Sequence, residues 1–418
     1  MLKIIVPSPP LAISSVILSM GLLALGSGML YAFIPIKLAQ DAFAPWVAGS
    51  ILTAMSGGSL VGCLITGLMV RRVGHARAFA ALTALVILSA VLLSTGTDPM
   101  IWIVARILYG IGAAGLFIVS QSWLNDACEN EWRGKVIATF YLVYIVSTGI
   151  GALVLRFLSL EGNTVPLVAI LFFAFALLPV SMTRLATPAP PASITIAIRS
   201  VWRISPVGII GLLSVGGMTM LLQGFTPIYV SAEGYSKDDV GLLMFLMQLG
   251  LIAVQYPLGA LSDRIDRRYV LMIASLMVAI TASLAIGADP ARFIIIVLIF
   301  SVWSGATESI YSVANAHAND RADRQYYVSL SSTLLVAWSV SGMVLPGIAT
   351  ALMPVFGPQI FMYVAIAISV AYFAFVAYRT TRREPAPADE TEPHQQLSAQ
   401  IPLTPELAHL PDDANEDS

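Results

Sequence analysis

Twelve apolar stretches, each about 20 residues or longer and so able to cross a bilayer's hydrocarbon core at 1.5 Å per residue, follow one another with only short polar breaks. Their approximate limits are 11–36, 46–70, 77–96, 100–123, 135–156, 165–184, 205–230, 240–261, 269–287, 292–316, 327–351 and 359–379. Inside a bilayer a single segment satisfies its own backbone only as a helix. The expected fold is therefore an all-α membrane protein of twelve transmembrane helices. Composition excludes the soluble alternative: 57% of residues are hydrophobic and 11% charged, where a soluble domain carries about a quarter. Pro35, Pro179, Pro227, Pro257 and Pro346 fall inside spans, where kinks are expected.

Lys and Arg decide the orientation, because loops rich in them stay on the cytoplasmic side. With the N-terminus inside, 17 of the 22 basic residues fall in cytoplasmic segments. The outer side receives Lys37, Arg156, Lys237 and Arg292, and Arg106 lies within the fourth span. Both termini are expected in the cytoplasm, with the chain multi-pass in a cell membrane of the bacterial inner-membrane type. No small-residue cleavage site follows the first apolar segment, which is expected to stay as the first span.

The chain divides in two. Residues 185–204 include the run ATPAPPAS with arginines nearby, which reads as a cytoplasmic linker between six-helix halves at 1–184 and 205–383. A shift of 192 residues lays Pro35 on Pro227, Gly67 on Gly259 and Arg72 on Arg264, at corresponding points of the two halves. From residue 384 onward the chain holds 9 of the 24 acidic residues and no Lys or Arg. That tail, 384–418, is too poor in apolar residues to bury a core and is expected to be a disordered, acidic cytoplasmic segment.

Several chemistries find no support. Cys63 and Cys128 form no CxxC pair and stand near no histidine cluster, so neither a disulfide framework nor a metal site is expected. No Walker A loop is present to cradle ATP phosphates. No nucleophile, base and acid group together as in an enzyme, no cofactor is implied, and topology accounts for the basic loops without nucleic acid.

The loop after span eight runs Gly259, Ala260, Leu261, Ser262, Asp263, Arg264, Ile265, Asp266, Arg267, Arg268. It closely resembles motif A of the major facilitator superfamily. The equivalent loop after span two keeps Gly67, Arg72 and Gly74 but has Arg71 where that family usually has Asp. In span four, Arg106 followed by Gly110 and Gly112 is similar to the family's motif B, whose arginine is linked to proton coupling. Gln121 to Asn125, Arg133-Gly134-Lys135, Tyr311 and Ala314 to His317 resemble the YcaD-like branch of the superfamily. Span five, with Ser147 to Gly151, lacks the proline-containing motif C of drug-proton antiporters, and a loosely similar Gly342 to Gly347 stands in span eleven. The resemblance implies two pseudo-symmetric six-helix bundles in the major facilitator fold. It further implies a secondary transporter working by alternating access, with a small-molecule substrate, protons as the expected coupling ion and a monomeric state. Asp263 would help latch the cytoplasmic side through the start of span five near Arg133 and Gly134.

The substrate site of such a protein lies near the midplane between the halves. Span ten offers Ser304, Glu308, Tyr311, Ser312 and Asn315, recurring every three or four residues and so sharing one face. Span seven adds Thr219, Gln223 and Thr226, span eight adds Gln248 and Gln255, and span four adds Arg106, Tyr109 and Gln121 on a broadly common face. Each amide or hydroxyl also has a plainer use in hydrogen bonds between helices. Glu308 differs from them, as the one carboxylate deep within a span. A buried charge there is paired, hydrated or protonated, and each condition suits proton coupling or recognition of a cation. Arg106 lies about 9 Å from the outer end of its span, so it either serves function or snorkels. His317 reads as interfacial. A receptor or assembly subunit that binds a ligand without moving it remains the competing function.

Overall fold

The computed structural model describes residues 9–41, 43–128, 130–183, 196–323, 326–382, 384 and 397–400. The helices of the first part are α1 (Pro9–Gln40), α2 (Pro45–Val73), α3 (His75–Ser94), α4 (Pro99–Ala127), α5 (Asn130–Val154), α6 (Thr164–Phe175) and α7 (Leu177–Met182). A short α8 (Ile198–Ile204) precedes α9 (Pro206–Ala232), α10 (Lys237–Ser262), α11 (Arg267–Ile286), α12 (Phe293–Asn319), α13 (Tyr327–Phe356) and α14 (Ile360–Thr380). Among the described residues twelve helical segments are long and apolar enough to cross a membrane, with α6 and α7 together forming the sixth.

The breaks between helices have local causes. Asp98 caps α4, its side chain accepting from the Met100 and Ile101 amides, with Pro99 at the first helical position where its missing N–H costs nothing. Ser236 and Asp239 form a reciprocal capping box at the start of α10. Gly74 takes φ +80°, which lets one residue turn the chain from α2 into α3. Of the five prolines expected to kink a span, only Pro179 accompanies an interruption, since α6 and α7 part at Ala176. Its ring crowds the Phe175 carbonyl and removes that hydrogen bond. Pro35, Pro227, Pro257 and Pro346 sit inside unbroken helices. The stretch 185–204, expected to be linker throughout, contains α8, and its residues up to 195 lie outside the described set.

The two six-helix bundles repeat one packing scheme. In the first, α2 and α3 each pack on α4, and α1 packs on α5 and α6; in the second, α10 and α11 each pack on α12, and α9 packs on α13 and α14. Close helix approach rests on small residues. A Cβ on Gly28 of α1 would meet the Thr148 carbonyl oxygen of α5 at 1.9 Å, and one on Gly216 of α9 the Trp338 carbonyl oxygen of α13 at 2.1 Å.

Between the bundles α2 packs on α13, α5 on α10 and α1 on α9. The specific contacts gather at one end. Thr53 Oγ1 donates to the Met343 carbonyl at 2.9 Å, Lys237 Nζ to the Leu158 carbonyl at 2.6 Å, and Gly49 faces Thr350. These positions belong to the starts of α2 and α10, to the loop that follows α5 and to the far half of α13, the end opposite the Arg-rich loops.

Candidate functional site

The polar face expected on span ten exists on α12, where Ser304, Glu308, Tyr311, Ser312 and Asn315 are all buried. Small residues bring α10 against it: a Cβ on Gly250 would meet Ser301 at 2.3 Å, and one on Gly305 would meet Val254 at 2.5 Å. That approach places Gln255 of α10 beside Glu308. Its amide nitrogen lies 3.3 Å from Ser312 Oγ and 3.4 Å from the Glu308 carbonyl. Gln248, two turns earlier on α10, is buried on the same helix face.

Glu308 is 2% exposed. Among the described residues no cation forms an ion pair with it. Its carboxylate oxygen Oε2 instead accepts from the Ser398 hydroxyl at 2.8 Å and from the Ala399 amide at 2.5 Å. The same four-residue segment meets both glutamines: Gln255 Nε2 donates to the Leu397 carbonyl at 2.5 Å, and Gln400 Nε2 donates to Gln248 Oε1 at 2.9 Å. Residues 397–399 are buried, so the tail expected to be disordered over its whole length is not so here. The rest of 385–418 lies outside the described residues. A sequence signal for this segment exists: residues 393–405 carry no Asp, Glu, Lys or Arg, an uncharged island in an acidic tail.

Arg106 occupies a different place. It is 2% exposed, so its guanidinium does not snorkel to the surface. Nη2 lies 2.6 Å from the Met55 sulfur, and the cation sits 4.3 Å from the Tyr109 ring centre and 5.7 Å from that of Tyr31. The two phenol oxygens are 3.0 Å apart. Cation–π attraction of this kind contributes on the order of 2 kcal/mol once desolvated, and Nε and Nη1 have no hydrogen-bond acceptor among the described groups. Tyr31 and Met55 were not singled out from sequence, having no spacing that ties them to Arg106.

Of the other expected site residues, Gln121 is buried on α4 at 3.5 Å from the Tyr141 hydroxyl. Asn315 donates to the Tyr311 carbonyl of its own helix at 2.8 Å. Gln223 is half-buried on α9. None of these is bonded to the cluster of Gln248, Gln255 and Glu308 in the contacts described.

At the Arg-rich end Gly67 is half-buried on α2, Arg72 is exposed, and Gly74 makes the turn already described. In the second half Gly259 is buried, and Asp263 and Arg264 are exposed just past α10. Arg133, expected near Asp263, donates to the Cys128 carbonyl at 3.4 Å. Arg267 and Arg268 do more than fix topology. Arg267 grips Asp320 with Nε–Oδ2 2.6 Å and Nη2–Oδ1 3.2 Å, both side chains under 5% exposed. Arg268 holds Asp266, the cap of α11, at 2.6 Å. Burial alone would raise the Asp266 carboxyl, yet its contacts with Arg268 hold it below the ordinary carboxylate range. His317, expected at the interface, is buried beside Arg268, Arg321 and Arg379.

Removing one partner of a buried ion pair strands the other charge and costs about 3–5 kcal/mol. Asp320→Asn is therefore expected to lower the detergent melting temperature well below that of Asp323→Asn, an exposed neighbour. Equal melting temperatures for the two variants would show that the Arg267–Asp320 pair contributes nothing.

The family profile of the Major Facilitator Superfamily matches residues 16–238 and again 207–410. The chain belongs to the Major Facilitator Superfamily. It is thus a membrane transporter rather than an enzyme, embedded by multiple spans and acting on a small molecule. Relatives of this superfamily member include an uncharacterized MFS-type transporter YcaD of Escherichia fergusonii, 27% identical over 84% of this chain and 91% of that one. The YcaD protein of Escherichia coli O6:K15:H31 is likewise 27% identical, with the same coverage. Two solved superfamily structures share the fold. The nucleoside transporter NupG superposes with a TM-score of 0.71 at 12% identity, over 89% of this chain and 98% of that one. The human organic anion transporter MFSD10 superposes with a TM-score of 0.62 at 17% identity, over 88% of this chain and all of that one.

Proposed function

We propose that the protein is a secondary active transporter that moves its substrate by alternating access and couples the movement to protons through Glu308. The observation that carries this reading is the buried Glu308 carboxylate, which lies mid-span and has hydrogen-bond donors but no described cation. A group so placed stays charged only while something supplies donors, so proton exchange and ligand exchange at Oε2 become linked. Gln248 and Gln255 complete the substrate site, and Arg106, with its unmatched Nε and Nη1, supports the pathway in the other half.

The gathering of inter-bundle contacts at one end favours alternating access. In the opposite state α2–α13 and α5–α10 would part at that end. The halves 1–184 and 205–383 would move as units on the linker 185–204. Gly67, Arg72, Gly74, Gly259, Asp263, Arg264, Arg267 and Arg268 would form the gate that closes them.

Spin labels at Arg72→Cys and Arg264→Cys, exposed on the gating loops of the two halves, test the motion without a known substrate. Two distance populations whose ratio shifts with pH, and stops shifting in Glu308→Gln, are expected. One fixed distance at every pH would refute the coupled motion.

The reading also places the Arg-rich loops and both termini in the cytoplasm of a bacterial-type cell, in the inner membrane. Thr95 and Arg264 are exposed in loops on opposite sides. In a background lacking Cys63 and Cys128, Thr95→Cys is expected to react with an impermeant maleimide in intact cells, and Arg264→Cys only after permeabilisation. The reverse pattern would invert the topology.

A further inference from the structure

The tail segment 397–400 is seated on the residues that form the candidate site and reaches Glu308, Gln255 and Gln248 through hydrogen bonds. The Ser398 hydroxyl and the Ala399 amide both donate to Glu308 Oε2. The Leu397 carbonyl accepts from Gln255, and the Gln400 side-chain amide donates to Gln248. Ser398 is 1% exposed and Ala399 fully buried. Without the segment Glu308 would lose every carboxylate partner it has among the described residues.

We propose that the cluster of Gln248, Gln255 and Glu308 is a binding site for peptide-like ligands, uncharged chains offering amide and hydroxyl donors beside a carbonyl acceptor. Leu397–Gln400 of the chain's own tail is its tethered, competing occupant. This rests on the reading of that cluster as the substrate site and adds the ligand chemistry and its regulation. A carboxylate flanked by two carboxamides selects for ligands that donate at the centre and both donate and accept at the flanks. The backbone of any short peptide does so, and a carboxylate-bearing molecule at the same point would meet Glu308 with like charge.

The geometry permits the tether. Glu384 is held over the end of α12 by its carbonyl, which accepts from Arg321 Nη2 at 3.0 Å. Glu308 lies eleven residues inside the end of α12, a depth of about 16 Å. The twelve residues from 385 to 396 can span about 40 Å when extended, so reach does not limit the contact. The tail starts at the Arg-rich end of the molecule, where α12 ends. The segment lies within the uncharged island 393–405, as a chain entering a membrane interior requires, since each charge carried there would cost several kcal/mol.

The test uses a chain ending at Glu384, reconstituted in nanodiscs beside the full chain, and a blocked heptapeptide of residues 395–401 as probe, with binding followed by calorimetry. The shortened chain is expected to bind the peptide saturably. The full chain, in which a tether supplies a millimolar effective concentration, should bind it at least about tenfold more weakly. Glu308→Gln in the shortened chain should weaken binding about tenfold or more, because two donors lose a charged acceptor. In a background lacking Cys63 and Cys128, a short bismaleimide should join Gln248→Cys to Gln400→Cys, so the tail stays attached after cleavage at a protease site placed within 385–396. Equal binding by the two chains, no binding by either, or a tail released after the cross-linking step would overturn the proposal. Because every readout is occupancy, a failed pH-gradient transport assay with intact peptide binding would instead count against the coupling role alone.

Discussion

Glu308→Gln is expected to abolish accumulation driven by a pH gradient, down to the level of protein-free liposomes, while leaving ligand binding measurable and downhill exchange active. The amide keeps the shape of the side chain and an acceptor oxygen for the Ser398 and Ala399 donors, but it cannot take up or release a proton. Exchange need not release the coupling proton, so it survives where net accumulation does not. The variant separates protonation from packing only if it folds, which monodisperse gel filtration and an unchanged melting temperature establish. Accumulation equal to that of the unaltered protein at every pH would remove Glu308 from the coupling role. Because residues 397–400 occupy the same carboxylate, the comparison is made in both the full chain and a chain ending at Glu384.

Gly28→Ala is expected to produce the largest loss of stability of any single methyl added to the fold. A Cβ there would stand 1.9 Å from the Thr148 carbonyl oxygen and 2.9 Å from its Cα. These are backbone atoms of α5, which no rotamer change can move. The opposing approach, a Cβ on Gly151 at 2.1 Å from the Leu25 carbonyl oxygen, locks the same pair of helices, so α1 and α5 would have to separate along their contact. Overpacking costs about 1–3 kcal/mol where side chains can adjust, and a rigid backbone sets the cost at about 3 kcal/mol or more. At roughly 2–4 °C per kcal/mol, the melting temperature should fall by roughly 6–12 °C. Gly57→Ala is the control, since its Cβ would meet the mobile Met343 Cε at 3.6 Å. Equal melting temperatures for the two variants would refute the close-packed account of the α1–α5 contact.

The spans were legible because burial in hydrocarbon imposes length and polarity on every helix, whatever its neighbours. The polar face of α12 was legible for the same reason: few polar residues stand in those spans, and a helix sets their spacing. Gln255 and Glu308, each conspicuous alone, lie side by side in the structure. What the sequence hid was pairing between distant segments. Arg267, at the start of α11, and Asp320, just past the end of α12, are 53 residues apart, and nothing local distinguishes Asp320 from an ordinary loop acid. Arg106 gave no sign that Met55 and Tyr31, on other helices, would surround it together with Tyr109 of its own helix face. Asn315 stands out by its spacing, and one of its amide hydrogens goes to the Tyr311 carbonyl of its own helix, a use that spacing alone cannot separate from ligand binding. The tail was the largest omission. Composition describes 384–418 as one acidic segment, and a four-residue anchor whose worth comes from Glu308 and two glutamines elsewhere in the chain leaves no periodic pattern to read.

Proton-driven concentrative transport is the claim on which the account stands, and flux across a sealed membrane measures it most directly. The protein, as the full chain and as the chain ending at Glu384, is reconstituted in proteoliposomes with an imposed pH gradient and offered a panel of small amide- and hydroxyl-bearing compounds. The account predicts that at least one compound accumulates above its equilibrium level, faster in the shortened chain, and that a protonophore collapses the accumulation. Compounds that cross only down their own gradient, at a rate indifferent to the pH gradient and the protonophore, would contradict it.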